Sequence, residues 1–312
     1  MNPLRVLALT GGVGGAKLGL GLYRVLETGA VGFIVNTGDD FQHLGLHISP
    51  DIDTLLYTLA GCNNEALGWG RRDETWQCMT LLERLGGPTW FRLGDGDLAL
   101  HLERTRRLAA GETLTAITAQ LASALGIEAA VLPMSDSAVA TRVHTADGPL
   151  DFQDYFVARR AMPVVTSIEF CGAATATLSS AVASAFAAPR LECVVLCPSN
   201  PYLSVDPLLA IPGLRQQLTA ARVPVVAVCP VVGGSAIKGP TTKIMAELGL
   251  SPDPATIARH YAGLIDGLVI DAADAAWAGR CGVPTCVTQT VMHSLQDREQ
   301  LAQTTLAFAA TL

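Results

Sequence analysis

Apolar residues along this chain fall into two alternating rhythms. The runs Arg5–Leu9, Gly32–Val35, Glu192–Cys197, Pro224–Val228 and Asp266–Ile270 are short and almost continuously hydrophobic. Continuous runs of that length are what strands buried on both faces look like. Between them the spacing changes to the three-to-four-residue repeat of helices, as over Lys17–Glu27. A strand, an amphipathic helix and a second strand make a βαβ unit, and that unit requires parallel pairing. The chain therefore reads as α/β: a Rossmann-like parallel sheet with helices on both faces.

The middle has another rhythm. Helical spacing predicts helices over Asp51–Ala60, Glu74–Leu85, Asp97–Ala110 and Thr113–Leu125. Short strands are predicted over Ile127–Leu132 and Ala138–Phe152, the second broken by the turn at Ala146-Asp147-Gly148-Pro149. The expectation is one α/β domain over residues 1–312, with a mostly helical insertion at about 51–168 covering the active-site edge.

The first strand runs into Gly11-Gly12-Val13-Gly14-Gly15-Ala16-Lys17. A glycine turn feeding a helix start presents backbone N–H groups to an anion, and a lysine adds charge. Gly12, Gly14, Gly15 and Lys17 are the candidate phosphate cradle. Neither better-known pattern fits: Lys17 is followed by Leu18 rather than Ser or Thr, and the second strand ends in Asn36 rather than an acid. The alternative is a tight turn whose glycines only permit close packing.

Carboxylates gather at Asp39-Asp40, Asp51 with Asp53, and Asp95 with Asp97. Loops after parallel strands converge at one sheet edge, where clustered acids suit Mg²⁺ bound to a phosphorylated ligand. Asp39 is the first candidate ligand and Asp40 the second. Asp51 and Asp97 each stand at a helix start, so capping accounts for either alone.

Basic and polar loops complete the set. His101 and Arg104 share a helix face and could hold a carboxylate or phosphate. Ser199 and Asn200 end a strand in a proline-framed turn that could read a base edge or serve the turn alone. Gly234 and Lys238 belong to a second glycine–lysine loop, as if for a second anionic group.

Composition removes other classes. Half the residues are hydrophobic and 16% are charged, enough for a large core, and the net charge of −7 disfavours a nucleic-acid binder. No apolar run reaches membrane-spanning length. Eight cysteines without a Cys-x-x-Cys spacing disfavour structural zinc and fit a cytoplasmic protein.

Taken in order, Gly11–Lys17, Asn36-Thr37-Gly38-Asp39-Asp40, Ser49-Pro50-Asp51-Ile52-Asp53-Thr54 and Leu93-Gly94-Asp95-Gly96-Asp97 resemble the 2-phospho-L-lactate transferase family. Pro133-Met134-Ser135-Asp136, Phe152-Gln153, Pro198-Ser199-Asn200-Pro201, Pro230-Val231-Val232-Gly233-Gly234 and Lys238-Gly239-Pro240 extend the match over nearly the whole chain. The resemblance implies transfer of a phospho-acid from its guanosine diphospho-conjugate to the deazaflavin 7,8-didemethyl-8-hydroxy-5-deazariboflavin (Fo). GMP leaves and a coenzyme F(420) precursor forms. The family uses 2-phospho-L-lactate, phosphoenolpyruvate or 3-phospho-D-glycerate. Mg²⁺ dependence, GDP binding and a homodimer are also implied.

The same resemblance places Asp53 and Arg92 on the deazaflavin. Asp53 orients or deprotonates its hydroxyl, and Asp39 joins it as a catalytic acid. The nucleotide set is Gly12, Gly14, Gly15, Lys17, Asn36, Ser199, Asn200, Gly234 and Lys238. For the phospho-acid the candidates are His101 and Arg104, from their shared helix face. Gly96, Leu100 and Ser137 depart from the family pattern, at positions where arginine, threonine and an acid are common. Two rivals remain. A related regulatory family binds nucleotide-sugars or dinucleotides to control cell-wall metabolism, but its Pro-Pro-Gly-Asp-Ile-Arg-Asn motif is replaced here by Pro50-Asp51-Ile52-Asp53-Thr54. An NAD-dependent oxidoreductase is disfavoured by Asn36.

Overall fold

The computed structural model describes residues 4–65 and 68–312. Its opening unit is β1 (Val6–Thr10), α1 (Gly12–Val25) and β2 (Val31–Val35). A hairpin of β3 (Phe41–His43) and β4 (Leu46–Ile48) leads into α2 (Pro50–Leu59), α3 (Gln77–Arg84), α4 (Asp95–Ala109) and α5 (Leu114–Ala124). Then come β5 (Ala130–Pro133), β6 (Ala140–Thr145), β7 (Gly148–Asp151), β8 (Val165–Cys171) and α6 (Ser180–Phe186). The last third holds β9 (Cys193–Leu196), α7 (Asp206–Leu209), α8 (Leu214–Ala220) and β10 (Val225–Val228). It continues through the short hairpin β11 (Val231–Val232) and β12 (Ser235–Ala236), then α9 (Thr241–Glu247) and α10 (Pro254–His260). β13 (Gly267–Asp271), β14 (Thr285–Thr288) and α11 (Leu295–Ala309) close the chain.

Seven strands form the central sheet in the order β14-β13-β10-β9-β1-β2-β5, and every pair in it is parallel. The continuous hydrophobic runs follow from this burial. Side chains alternate across a strand, so Val6 and Ala8 pack under one helical layer while Leu7 and Leu9 pack under the other. On the first face lie α1, α2 and α11, through residues such as Leu18, Leu22, Leu55 and Leu301. The opposite face is covered by Phe186, Leu208, Leu214 and Ile257.

The expected insertion is partitioned differently. Ile52, Leu55 and Leu56 of α2 are buried against the sheet layer of α1, and β5 pairs with β2 as an edge strand of the sheet itself. What departs from the sheet is the hairpin β3–β4 with α3 and α4, and the separate antiparallel sheet β7-β6-β8. Helical spacing reports that a segment has an apolar face, but not which partner covers it.

The first helix also begins earlier than Lys17, at Gly12, with extended Gly11 before it. Several of its glycines, Gly14, Gly15, Gly19 and Gly21, sit where another segment leaves no room for a side chain. A Cβ on Gly14 would sit 2.7 Å from the Pro198 carbonyl oxygen, and one on Gly19 would press Leu55 and Phe33 at 3.2 Å. Among the described residues no helix is long and apolar enough to cross a membrane, and all eight cysteines are free thiols.

Candidate active site

In this sheet β1, β2 and β5 run out to one side and β9, β10, β13 and β14 to the other. The order of strands reverses between β1 and β9. Open α/β sheets bind ligands at that point, outside the carboxyl ends of the strands. A cavity of about 680 Å³ opens there, within the size range of small-molecule sites.

Most of the expected residues meet on its wall. Gly12, Gly14 and Lys17 follow β1, Asp39 follows β2, and Ser199 with Asn200 follows β9. Asp53 from α2, Arg92 and His101 from around α4, and Lys238 from the loop after β12 complete the set. They derive from six separate stretches of chain, which the parallel topology gathers at one edge.

Five expected residues stand elsewhere. Gly15 packs against Thr10 and Ser199, where a side chain would have no room. Asn36 is fully buried: its amide donates to Asp51 Oδ2 at 2.9 Å and its carbonyl accepts from Gly38 N at 2.8 Å. Gly234, with φ of +75°, turns the β11–β12 hairpin. Asp40 is tied down by the Ser49 hydroxyl at 2.7 Å and by His47 Nε2 at 3.1 Å. Arg104 is completely buried, with its guanidinium clasping Asp53. None of the five lines the cavity. For Asn36 and Arg104 the reason is shared: each side chain already bonds a carboxylate inside the fold.

The glycine turn is less bare than its sequence implies. Gly11 N–H donates to Ser199 Oγ at 3.1 Å, and Gly12 N–H to Asp51 Oδ1 at 2.7 Å. The next N–H groups of the first turn, those of Val13 and Gly14, have no carbonyl four residues back within the helix and lie on the cavity wall. Lys17 holds its ammonium by the Met292 carbonyl at 2.9 Å. The side chain of Asn200 accepts from Tyr202 and Leu203 N–H, which leaves its buried Nδ2 without a partner.

Burial raises several of the acids. It pushes Asp51 up to about 6. The same desolvation, with the charge of Asp51 added, holds Asp39 well above the usual carboxylate range. Asp97 is likewise pushed up to about 6, by burial first and then by the charges of Asp53 and Glu74. Burial drives His101 down to about 4, so it is neutral at pH 7 beside Asp53, 3.7 Å away.

Mg²⁺ is usually held by one or two carboxylates plus substrate phosphates. Asp39 and Asp51 both reach the cavity, and Asp39 Oδ1 is buried without a hydrogen-bond partner. An unpartnered carboxyl oxygen beside a second acid fits such an ion, whose charge would favour the ionised form. Asp40, the second ligand expected from sequence, lies behind that wall. Among the described residues no group of three or more His, Cys, Asp or Glu is arranged to hold a metal by protein ligands alone.

Sequence reasoning missed the aromatic wall. Trp69, Trp90, Phe91, Phe152 and Phe156 all line the cavity in a chain with only 5% aromatics. Phe152 and Phe156 stack at 5.3 Å, and the Arg92 guanidinium lies 4.4 Å over Trp76. The pair Trp90-Phe91 directly before Arg92 was the available signal.

The model of the family 2-phospho-L-lactate transferase CofD matches residues 6–302. A phosphoenolpyruvate transferase of Streptomyces griseus is 41% identical, the match covering 87% of each chain. Another, of Kitasatospora aureofaciens, is 36% identical over 98% of each. The 2-phospho-L-lactate transferase of Methanosarcina mazei is 33% identical over 96% of this chain and 98% of its own. In fold, the chain is similar to a UPF0052 family member from Bacillus halodurans, with a TM-score of 0.64 at 15% identity, covering 97% of this chain and 99% of that one. The chain belongs to the 2-phospho-L-lactate transferase family and is a phospho-acid transferase.

Proposed function

We propose that this transferase takes a three-carbon phospho-acid from its guanosine diphospho-conjugate and places it on the deazaflavin Fo. Supporting this is one cavity whose wall carries both an anion cradle and an aromatic slot. Lys17, Lys238 and the free N–H groups of the α1 start suit the diphosphate, and Asn200 Nδ2 offers a donor to the nucleoside. Trp90, Phe91 and Arg92 suit a flat polycyclic ring.

In the reaction the terminal ribityl oxygen bonds to the acid-side phosphorus, and the bond from that phosphorus to the bridging oxygen breaks. GMP carries off the bridge electrons, and the hydroxyl proton passes to an acceptor. The protein has little covalent chemistry to do in such a displacement, which is helped mainly by positioning and by cations. Orientation can supply about 7–11 kcal/mol, while a general base contributes roughly 10²–10⁴-fold. Lys17 and Lys238 therefore do more than any single base. Asp53, fixed by Arg104, is a rigid acceptor for aligning the hydroxyl. Mg²⁺ on Asp39 and Asp51 would neutralise part of the diphosphate charge.

The test offers guanylylated phosphoenolpyruvate, 2-phospho-L-lactate and 3-phospho-D-glycerate, each with Fo, and follows the deazaflavin by mass spectrometry. One acid should be transferred, with GMP released in equal amount. No mass gain with any donor overturns the reading.

A further inference from the structure

A side chamber of about 240 Å³ adjoins the main cavity and shares Lys17, Lys238, Gly68 and Trp69 with it. Its own contributors include Arg298 of α11, His293 and Glu65. Arg298 is only 5% exposed. One guanidinium nitrogen donates to Glu65 Oε1 at 2.7 Å, and Nε is buried with no partner. Glu65 itself is 66% exposed at its side chain, so water competes for it.

Charge is unbalanced here. Lys17, Lys238 and Arg298 set three cations against the single carboxylate of Glu65. Burial lowers the Lys17 ammonium, and the charges of Arg298 and Lys238 lower it further. The main cavity shares Lys17 and Lys238 and adds Arg92, but sets them against Asp39, Asp51, Asp53 and Asp97, so the surplus of cations over acids is confined to the side chamber. A buried cation left short of partners is costly, and an anionic ligand removes that cost. Arginine is also the side chain whose fork matches a carboxylate.

We propose that Arg298 binds the carboxylate of the three-carbon acid in this chamber, displacing Glu65 from the guanidinium, while Lys17 and Lys238, shared with the main cavity, stay on the adjoining diphosphate. The assignment rests on the transferase reading above. It puts the acid's carboxylate on α11, and not on Arg104, which is sealed inside the fold. Glu65 is then a placeholder: it holds Arg298 in position until the substrate carboxylate arrives.

Two variants with opposite expected signs test this. Arg298→Gln should raise KM for the guanylylated acid about tenfold or more, as loss of a charged hydrogen bond does, while GDP affinity by calorimetry stays within about twofold. Glu65→Gln removes the competing carboxylate and should lower that KM. Parallel losses of donor and GDP affinity in Arg298→Gln would assign the chamber to nucleotide phosphates and overturn the proposal. So would an unchanged or higher donor KM in Glu65→Gln, which decides alone if Arg298→Gln does not fold. A wild-type protein that transfers no acid at all sinks the transferase reading separately. In that event phosphoenolpyruvate titrated alone still tests the chamber: weaker binding to Arg298→Gln supports it, and equal binding overturns it.

Discussion

Arg104 and Asp53 form a buried pair across 51 residues of sequence: Nη1 donates to Oδ2 at 3.1 Å, and Nη2 bonds Oδ1. The arginine is fully buried on α4 and the aspartate faces the cavity from α2. The guanidinium is thus a support that fixes a carboxylate, not a ligand contact. Removing one partner of such a pair strands the other charge and costs about 3–5 kcal/mol. Arg104→Met should lose that much in urea unfolding, and pairing it with Asp53→Asn should recover part. A loss below about 1 kcal/mol would show that the pair is not a structural requirement.

Asp53→Asn keeps the shape of the side chain but removes its charge. Transfer to Fo should fall by roughly 10²-fold or more if Asp53 aligns or accepts the hydroxyl proton. GDP binding, followed by calorimetry, should stay close to wild type and also reports that the variant is folded. Near-normal turnover would remove Asp53 from the mechanism.

Asp97 links stability to pH. Its folded value of about 6 lies above the ordinary 3.8, so the folded state holds the proton more tightly than the unfolded chain does. Stability therefore falls as pH rises from about 4 to about 6, and above that window the full cost of the buried charge is present. A two-unit difference corresponds to about 3 kcal/mol. Asp97→Asn should match wild type in thermal melts near pH 4 and exceed it at pH 8. Equal melting temperatures at pH 8 would mean that Asp97 is well compensated in the fold.

Gly14 is where the loop after β1 meets the loop after β9. A Cβ there would lie 2.7 Å from the Pro198 carbonyl oxygen, a backbone atom that cannot rotate away. Gly14→Ala should destabilise the protein by about 1–3 kcal/mol and weaken GDP binding, because both loops border the cavity. Unchanged affinity for GDP would separate the glycine turn from the nucleotide.

The parallel α/β core was legible in the residue order, because strands buried on both faces must be continuously apolar, as Val6–Thr10 and Val31–Val35 are. It also marked Lys17, Asp39, Asp53, Ser199 and Lys238, whose loops follow strands or open helices and so had to converge at the carboxyl edge. What each polar group does there depends on contacts that exist only in the folded chain. Asn36 and Arg104 read as ligand contacts until Asp51 and Asp53 arrive from elsewhere in the chain to occupy them. Arg298, in an ordinary helical stretch, shows no local signal at all until α11 packs along α1 and carries it to the cavity rim. Periodicity is a local property written into neighbouring residues. Burial and charge pairing depend on which distant segments meet, and that is settled when the chain folds.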